Sequence, residues 1–189
     1  MRRFRWGLLV LVFSVAASAK LCVQSLLDDY FTRIAKQQAE QPHWITPVVT
    51  VTPRLEQEIR YDIFWQGHAD GTTTENYGGS KGLELIPAKN IEVIIGIPPY
   101  LVHNERRVKD GWGDEAFLVK YRIVSRNEEH GNYILTAFLG ASVPTDTYKN
   151  GAPHAVITPT LAFGKGWGNF DIVTTAGIQL PTSDSQKLG

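Results

Sequence analysis

The chain has 189 residues, no formal net charge and a pI near 7.0, which excludes the basic surface that a nucleic-acid binder needs. One cysteine excludes an internal disulfide. Its 17 Gly, 5 Trp, 7 Tyr and 8 Phe lean towards a turn-rich, aromatic-rich β protein.

The first residues carry an export pattern. Arg2, Arg3 and Arg5 form a positive start, Leu8 to Val15 a short apolar core, and Ala17-Ser18-Ala19 a small-residue cleavage site before Lys20. The apolar run is shorter than the roughly 20 residues of a membrane-spanning helix. Cys22 follows Leu21 rather than a small residue, so a lipid-attachment site is rejected. Residues 1–19 are read as a signal peptide and 20–47 as a periplasmic N-terminal segment. Within that segment Leu21, Leu26, Leu27, Phe31, Ile34 and Ala35 follow helical spacing up to Pro42.

From Val48 the period becomes two. In Arg54 to Trp65, Leu55, Ile59, Tyr61, Ile63 and Trp65 share one face. Arg54, Glu56, Glu58, Arg60 and Asp62 share the other. Further strands are predicted at Tyr77 to Ile86, Ile91 to Ile97, Phe117 to Ile123, Tyr133 to Val143, Ala155 to Phe163 and Phe170 to Leu180. Pro159 interrupts its strand and predicts a bulge there. The intervening loops alternate. Gly67 to Glu75, His103 to Gly111 and Pro144 to His154 are long and polar, whereas Pro87 to Lys89 and Gly164 to Gly168 are short and Ser125 to Gly131 intermediate.

About seven strands, most near the 9–11 residues that a tilted membrane strand needs, predict an all-β fold. The expected architecture is an antiparallel up-and-down transmembrane β-barrel over residues 48–189, with a short N-terminal helix. Lipid satisfies no backbone polar group, so a closed sheet is the β solution there. Aromatics near strand ends (Tyr61, Trp65, Tyr100, Trp112, Tyr133, Phe163, Trp167, Phe170) suit the membrane interface. Single-chain bacterial barrels have an even strand number. An odd count, with the last strand running out through Pro181 to Gln186, therefore predicts a partial barrel with further strands beyond Gly189.

The runs Asp110-Gly111-Trp112-Gly113-Asp114, Phe117 to Arg122, Asn127 to Tyr133, Phe138 to Thr145, His154 to Thr160, Phe163 to Gly168 and Gln179-Leu180-Pro181-Thr182 together resemble a bacterial outer-membrane transporter family. Its members are labelled meta-pathway phenol-degradation proteins, and the similarity spans roughly residues 45 to 189. The resemblance implies a channel for small, aromatic or hydrophobic molecules.

Asp110 to Asp114 reads as turn chemistry and lacks the ligand pattern of an EF-hand loop. Glu128, Glu129 and His130 read as a solvated turn, without a second histidine at helical zinc spacing. His68, His103 and His154 fall at loops or strand ends and could converge. Ser142 and Ser183 lack a nucleophile-elbow context, and Gly78 to Gly82 lacks P-loop spacing. The inward charges Arg54, Glu56, Glu58, Arg60, Asp62, Glu92, Lys120 and Arg122 form the candidate functional set. They either line water and tune solute passage or pair into a plug that seals a narrow lumen. The expected function is passive or facilitated diffusion of small molecules across the cell outer membrane, without catalysis, metal or cofactor. The partners expected are outer-membrane lipid and a small-molecule solute. The alternatives are a soluble periplasmic β-sandwich binding protein and a lipid-modifying barrel enzyme.

Overall fold

A computed structural model describes residues 23–45, 51–79, 81–145 and 150–183. The export pattern, Cys22, the first predicted strand residues at Val48, Ser80 and residues 184–186 lie outside them. The chain falls into two compact units, Met1–Lys36 and Gln37–Gly189. In the first, residues 23–36 are helical, as the spacing predicts, and the helix runs on to residue 39 in the second unit. Val23, Leu26, Leu27 and Phe31 of this helix are exposed.

The second unit holds two antiparallel sheets. One comprises β1 (Glu58–Ile59), β4 (Gly82–Ala88), β5 (Ile91–Gly96), β8 (Glu115–Arg126), β9 (Tyr133–Val143), β10 (Val156–Trp167) and β11 (Phe170–Gly177) in that order, with β12 (Leu180–Pro181) also pairing with β10. The other is β2 (Ile63–Gly67), β3 (Thr73–Tyr77), β6 (Tyr100–His103) and β7 (Gly111–Trp112).

The two sheets share one strand order. Along the chain β1 leads into β2, β3 into β4, β5 into β6 and β7 into β8, and in both sheets these runs neighbour one another in the same sequence. Backbone hydrogen bonds carry the pairing across the breaks: Arg60 N donates to Gly82 O, Gly78 N to Asp62 O, Ile97 N to Lys81 O and Gly113 N to Pro99 O. The breaks fall where the ladder chemistry is weak, at Gly78 and Gly79 with positive φ, at Pro98-Pro99 and at Gly113. The twelve segments therefore reduce to seven antiparallel runs, β1–β2, β3–β4, β5–β6, β7–β8, β9, β10 and β11–β12, joined as a meander. Among the described residues the first and last runs do not pair with each other, so the sheet is open.

Two expectations need correction. Arg54 to Gln57 are not strand; β1 contains only Glu58 and Ile59. The amide side chain of Gln41 accepts from Leu55 N and donates to Leu55 O, both at 2.9 Å. Leu55 therefore spends its backbone groups on a side chain, not on a neighbouring strand, and it is fully buried instead of facing outward. Pro159 makes no bulge. It pairs in register with Leu139 and sits opposite the break between β11 and β12, where Ile178 N donates to Pro159 O and no reciprocal proline N–H is required. Among the described residues the register shifts at two other places, with an extra residue in β8 between Arg122 and Val124 and one in β4 between Leu85 and Ala88.

The two faces of the large sheet differ in burial. Phe117, Val119, Tyr121, Leu139, Leu161 and Phe163, on one face, keep 41–54% of their surface exposed. On the opposite face Glu92, Lys120, Arg122, Ile134 and Thr136 keep at most 2%. Residues 37–45 and 51–57 lie over that second face. Trp44 reaches β9 and β10, its Nε1 donating to Asn132 Oδ1 at 2.8 Å. A Cβ at Gly164 would stand 2.5 Å from Trp44 Cζ3, whereas one at Gly140 would meet only ordinary contacts from 3.5 Å. Gly164→Ala should lower the stability of the full chain by about 1–3 kcal/mol through overpacking, and Gly140→Ala should be near neutral. Urea midpoints measured side by side check this; equal midpoints would contradict the seating of Trp44.

Candidate functional site

The charged face is built by strand alternation. Glu92 on β5 and Lys120 on β8 are register partners, so their side chains emerge on the same face. Lys120 Nζ lies 2.7 Å from Glu92 Oε1, both groups being fully out of water. Lys120 Nζ also donates to Arg54 O at 3.1 Å, and Glu92 Oε2 accepts from Glu56 N at 2.5 Å. Next to them Thr136 donates to Pro53 O at 2.6 Å. Each of these strand side chains is thus tied to the backbone of residues 53–56.

Arg122, two residues on from Lys120 and on the same face, is satisfied from the other stretch. Its Nη1 donates to Gln37 O at 2.6 Å and Gln41 Oε1 at 3.4 Å. Its Nη2 donates to Gln37 Oε1 at 2.6 Å and Asn90 Oδ1 at 2.8 Å, with Glu40 Oε2 at 3.5 Å. Asn90 can take that place because it occupies the left-handed position of the β4–β5 turn, φ 61°, which asparagine tolerates. A cation removed from water needs such a full set of acceptors.

Of the eight charged residues singled out from sequence, Glu92, Lys120 and Arg122 come together on this face. Arg54 and Glu56 belong to the covering stretch and pair with each other, Arg54 Nη2 to Glu56 Oε1 at 3.3 Å. Arg60 and Asp62 form an ion pair at 3.1 Å at the kink between β1 and β2, and Glu58 is exposed. Sequence reasoning missed Glu84, which is 1% exposed and alternates with Leu83 and Leu85 as a strand charge should. It also missed Gln37, Gln41 and Asn90, for which single-residue polarity gives no signal. Among the described residues neither oxygen of Glu84 nor Nζ of Lys81 finds a hydrogen-bond partner.

The two ends of the sheet differ. At the end with the long loops, His103 N donates to Asp110 Oδ1 at 2.7 Å, and its ring contacts Thr74 Oγ1 and Asn150 Oδ1. His68 also contacts Thr74 Oγ1, at 3.0 Å. Asp114 Oδ2 accepts from Ala152 N at 2.9 Å. Asp110 and Asp114 therefore fasten loops, which is the turn chemistry their spacing implied. No cluster of three or more His, Cys, Asp or Glu groups fit for a metal occurs among the described residues. At the short-turn end, Glu128 in the β8–β9 turn holds His43, whose Nδ1 lies 3.0 Å from Glu128 Oε2 and whose N–H bonds Oε1. Partial burial pushes the Glu128 carboxyl up, but these two hydrogen bonds outweigh it and hold the group below its ordinary range.

Two predictions follow from this geometry. Glu92→Leu leaves the buried Lys120 ammonium without its partner and should cost about 3–5 kcal/mol, whereas the double replacement Glu92→Leu with Lys120→Met should cost far less; a double-mutant cycle of these two substitutions on urea midpoints measures the coupling. Because the Glu128 carboxyl is depressed in the folded chain, its contribution is present above the ordinary glutamate range and is lost as pH falls through the lowered value. Stability should therefore fall more steeply on acidification in the native chain than in His43→Ala, and parallel curves would remove the linkage. Searches of family models, of curated proteins and of solved structures each found no match for the chain.

Proposed function

We propose that the chain is a membrane-spanning β-barrel channel, or a large part of one, that passes small molecules by passive or facilitated diffusion through the outer membrane without chemistry on the solute. The observation that carries the reading is the reversed polarity of the sheet. A soluble sandwich packs its apolar face and wets its charged one. Along β4, β5, β8, β9 and β10 the apolar face is bare and the charged one is dry, an arrangement that suits hydrocarbon outside and a polar interior. A contiguous apolar surface of this extent is rare on a soluble monomer.

Three further features support it. β8, β9 and β10 have 12, 11 and 12 residues, enough to cross a bilayer at a tilt. Aromatic residues form two rows. Tyr77, Tyr100 and Trp112 are successive register partners, and Tyr121, Tyr133, Trp167 and Phe170 lie towards the short-turn end. From Trp112 to Tyr121 the chain covers about 30 Å at roughly 3.3 Å per residue. Tilted by about 45°, that spans about 21 Å, close to the ~25 Å apolar band between the aromatic girdles of such barrels. The turns at 89–90, 127–132 and 168–169 share one end of the sheet, and residues 37–45 enter there, as a periplasmic N-terminus requires. The outer-membrane transporter family resembled by the sequence suggests small aromatic or hydrophobic solutes.

Leu139 separates the reading from a soluble one. It is 54% exposed, so in water Leu139→Arg would change little, whereas in lipid it should cost about 2–4 kcal/mol. The full chain should fractionate with membranes and migrate differently on gels before and after heating. Soluble, heat-indifferent protein that tolerates Leu139→Arg would overturn the proposal.

A further inference from the structure

Resting on the channel reading, we infer that residues 37–45 and 51–57 form a releasable plug, latched by Arg122, that closes the solute path. These stretches cover the charged face and bury Leu55 completely. What holds them is unlike what holds the strands. Among the described residues, no backbone-to-backbone hydrogen bond joins residues 37–45 or 51–55 to the sheet. The attachments run through side chains: Arg122 to Gln37 and Gln41, Lys120 to Arg54 O, Thr136 to Pro53 O, Ser125 to Glu40 O and Gln57 to Ile86 N. Such bonds can be exchanged for water one at a time, whereas a ladder is lost only with the fold.

The plug also has an internal tie that lets it move as a unit. Gln41 binds both backbone groups of Leu55, joining its two stretches independently of the sheet. Arg122 is the latch because it alone, through one guanidinium on the sheet, reaches Gln37, Gln41 and Glu40 together. The seated state carries a cost as well. Glu84 on the same face and Lys81 at the adjoining kink are buried without hydrogen-bond partners among the described residues, and water entering after release would solvate them. The charges of this face then serve first to hold the plug and only on its release to meet solute.

The test uses the full chain in planar bilayers, with Leu55→Cys in a Cys22→Ser background as reporter and a membrane-impermeant maleimide as probe. The otherwise native chain should conduct weakly and keep Cys at position 55 unlabelled. Arg122→Ala should raise conductance and speed labelling roughly tenfold, the factor that about 1.4 kcal/mol of lost latch energy gives. Gln37→Ala with Gln41→Ala releases the latch from the plug side and should act alike, which keeps the test decisive where Arg122→Ala fails to fold. Membrane-inserted, heat-modifiable variants with native conductance and a protected thiol would overturn the plug while leaving the channel standing. A native chain that conducts fully with position 55 protected would also overturn it. Protein that never enters the membrane would defeat the channel reading itself, and the plug with it.

Discussion

Lys120 and Arg122 each carry a positive charge to a place that water does not reach, and a cation there must be met by oxygen atoms or not be there at all. The acceptors come from three sources: Glu92 on the neighbouring strand, Asn90 in the adjoining turn, and residues 37–45 and 51–57, which no strand pairing recruits. The remaining interior contacts follow from this requirement. Thr136, Ser125 and Gln57 extend the same pattern, each spending one polar atom on a backbone group across the covering stretches. Apolar packing is confined to gaps between these bonds, where Leu55, Ile86, Ile94, Ile134 and Phe138 fill the space.

A sheet with so polar an interior cannot draw its main stabilisation from that side. In a soluble domain the opposite face would supply it by packing against a second layer. Here that face stays exposed along β8, β9 and β10. In the proposed channel, lipid takes the role of the missing layer, and the long unbroken strands follow from having to satisfy every backbone group across its thickness. The kinks at Gly78, Pro99 and Gly113 lie beyond β4, β5 and β8, on the side of the long loops, where in the proposed channel water would again serve the backbone.

Much of the sheet was legible in advance because alternation is a local property. Tyr133, Leu135, Ala137, Leu139, Ala141 and Val143 were assigned one face from period two alone, and β9 carries them so. The same rule failed at Arg54 to Gln57, where the charges also alternate. Nothing local distinguishes a residue that pairs with a strand from one whose N–H and C=O are taken by a glutamine side chain fourteen residues away. Pro159 failed for a related reason. Its cost depends on whether a partner strand needs its missing N–H, and the break after Gly177 removes that need.

By itself the sequence determined the number and order of the antiparallel runs, the apolar and charged sides of most of them, and the alternation of long and short connections. These depend on side chains a few residues apart and on turn chemistry. Only the tertiary structure decided which side would be dry, that Glu92, Lys120 and Arg122 share one site, and that the chain's own residues 37–45 and 51–57 cover it. Burial and hydrogen-bond completion are properties of groups brought together across 32 to 85 positions of chain, and no spacing rule records which distant oxygen will meet a buried cation.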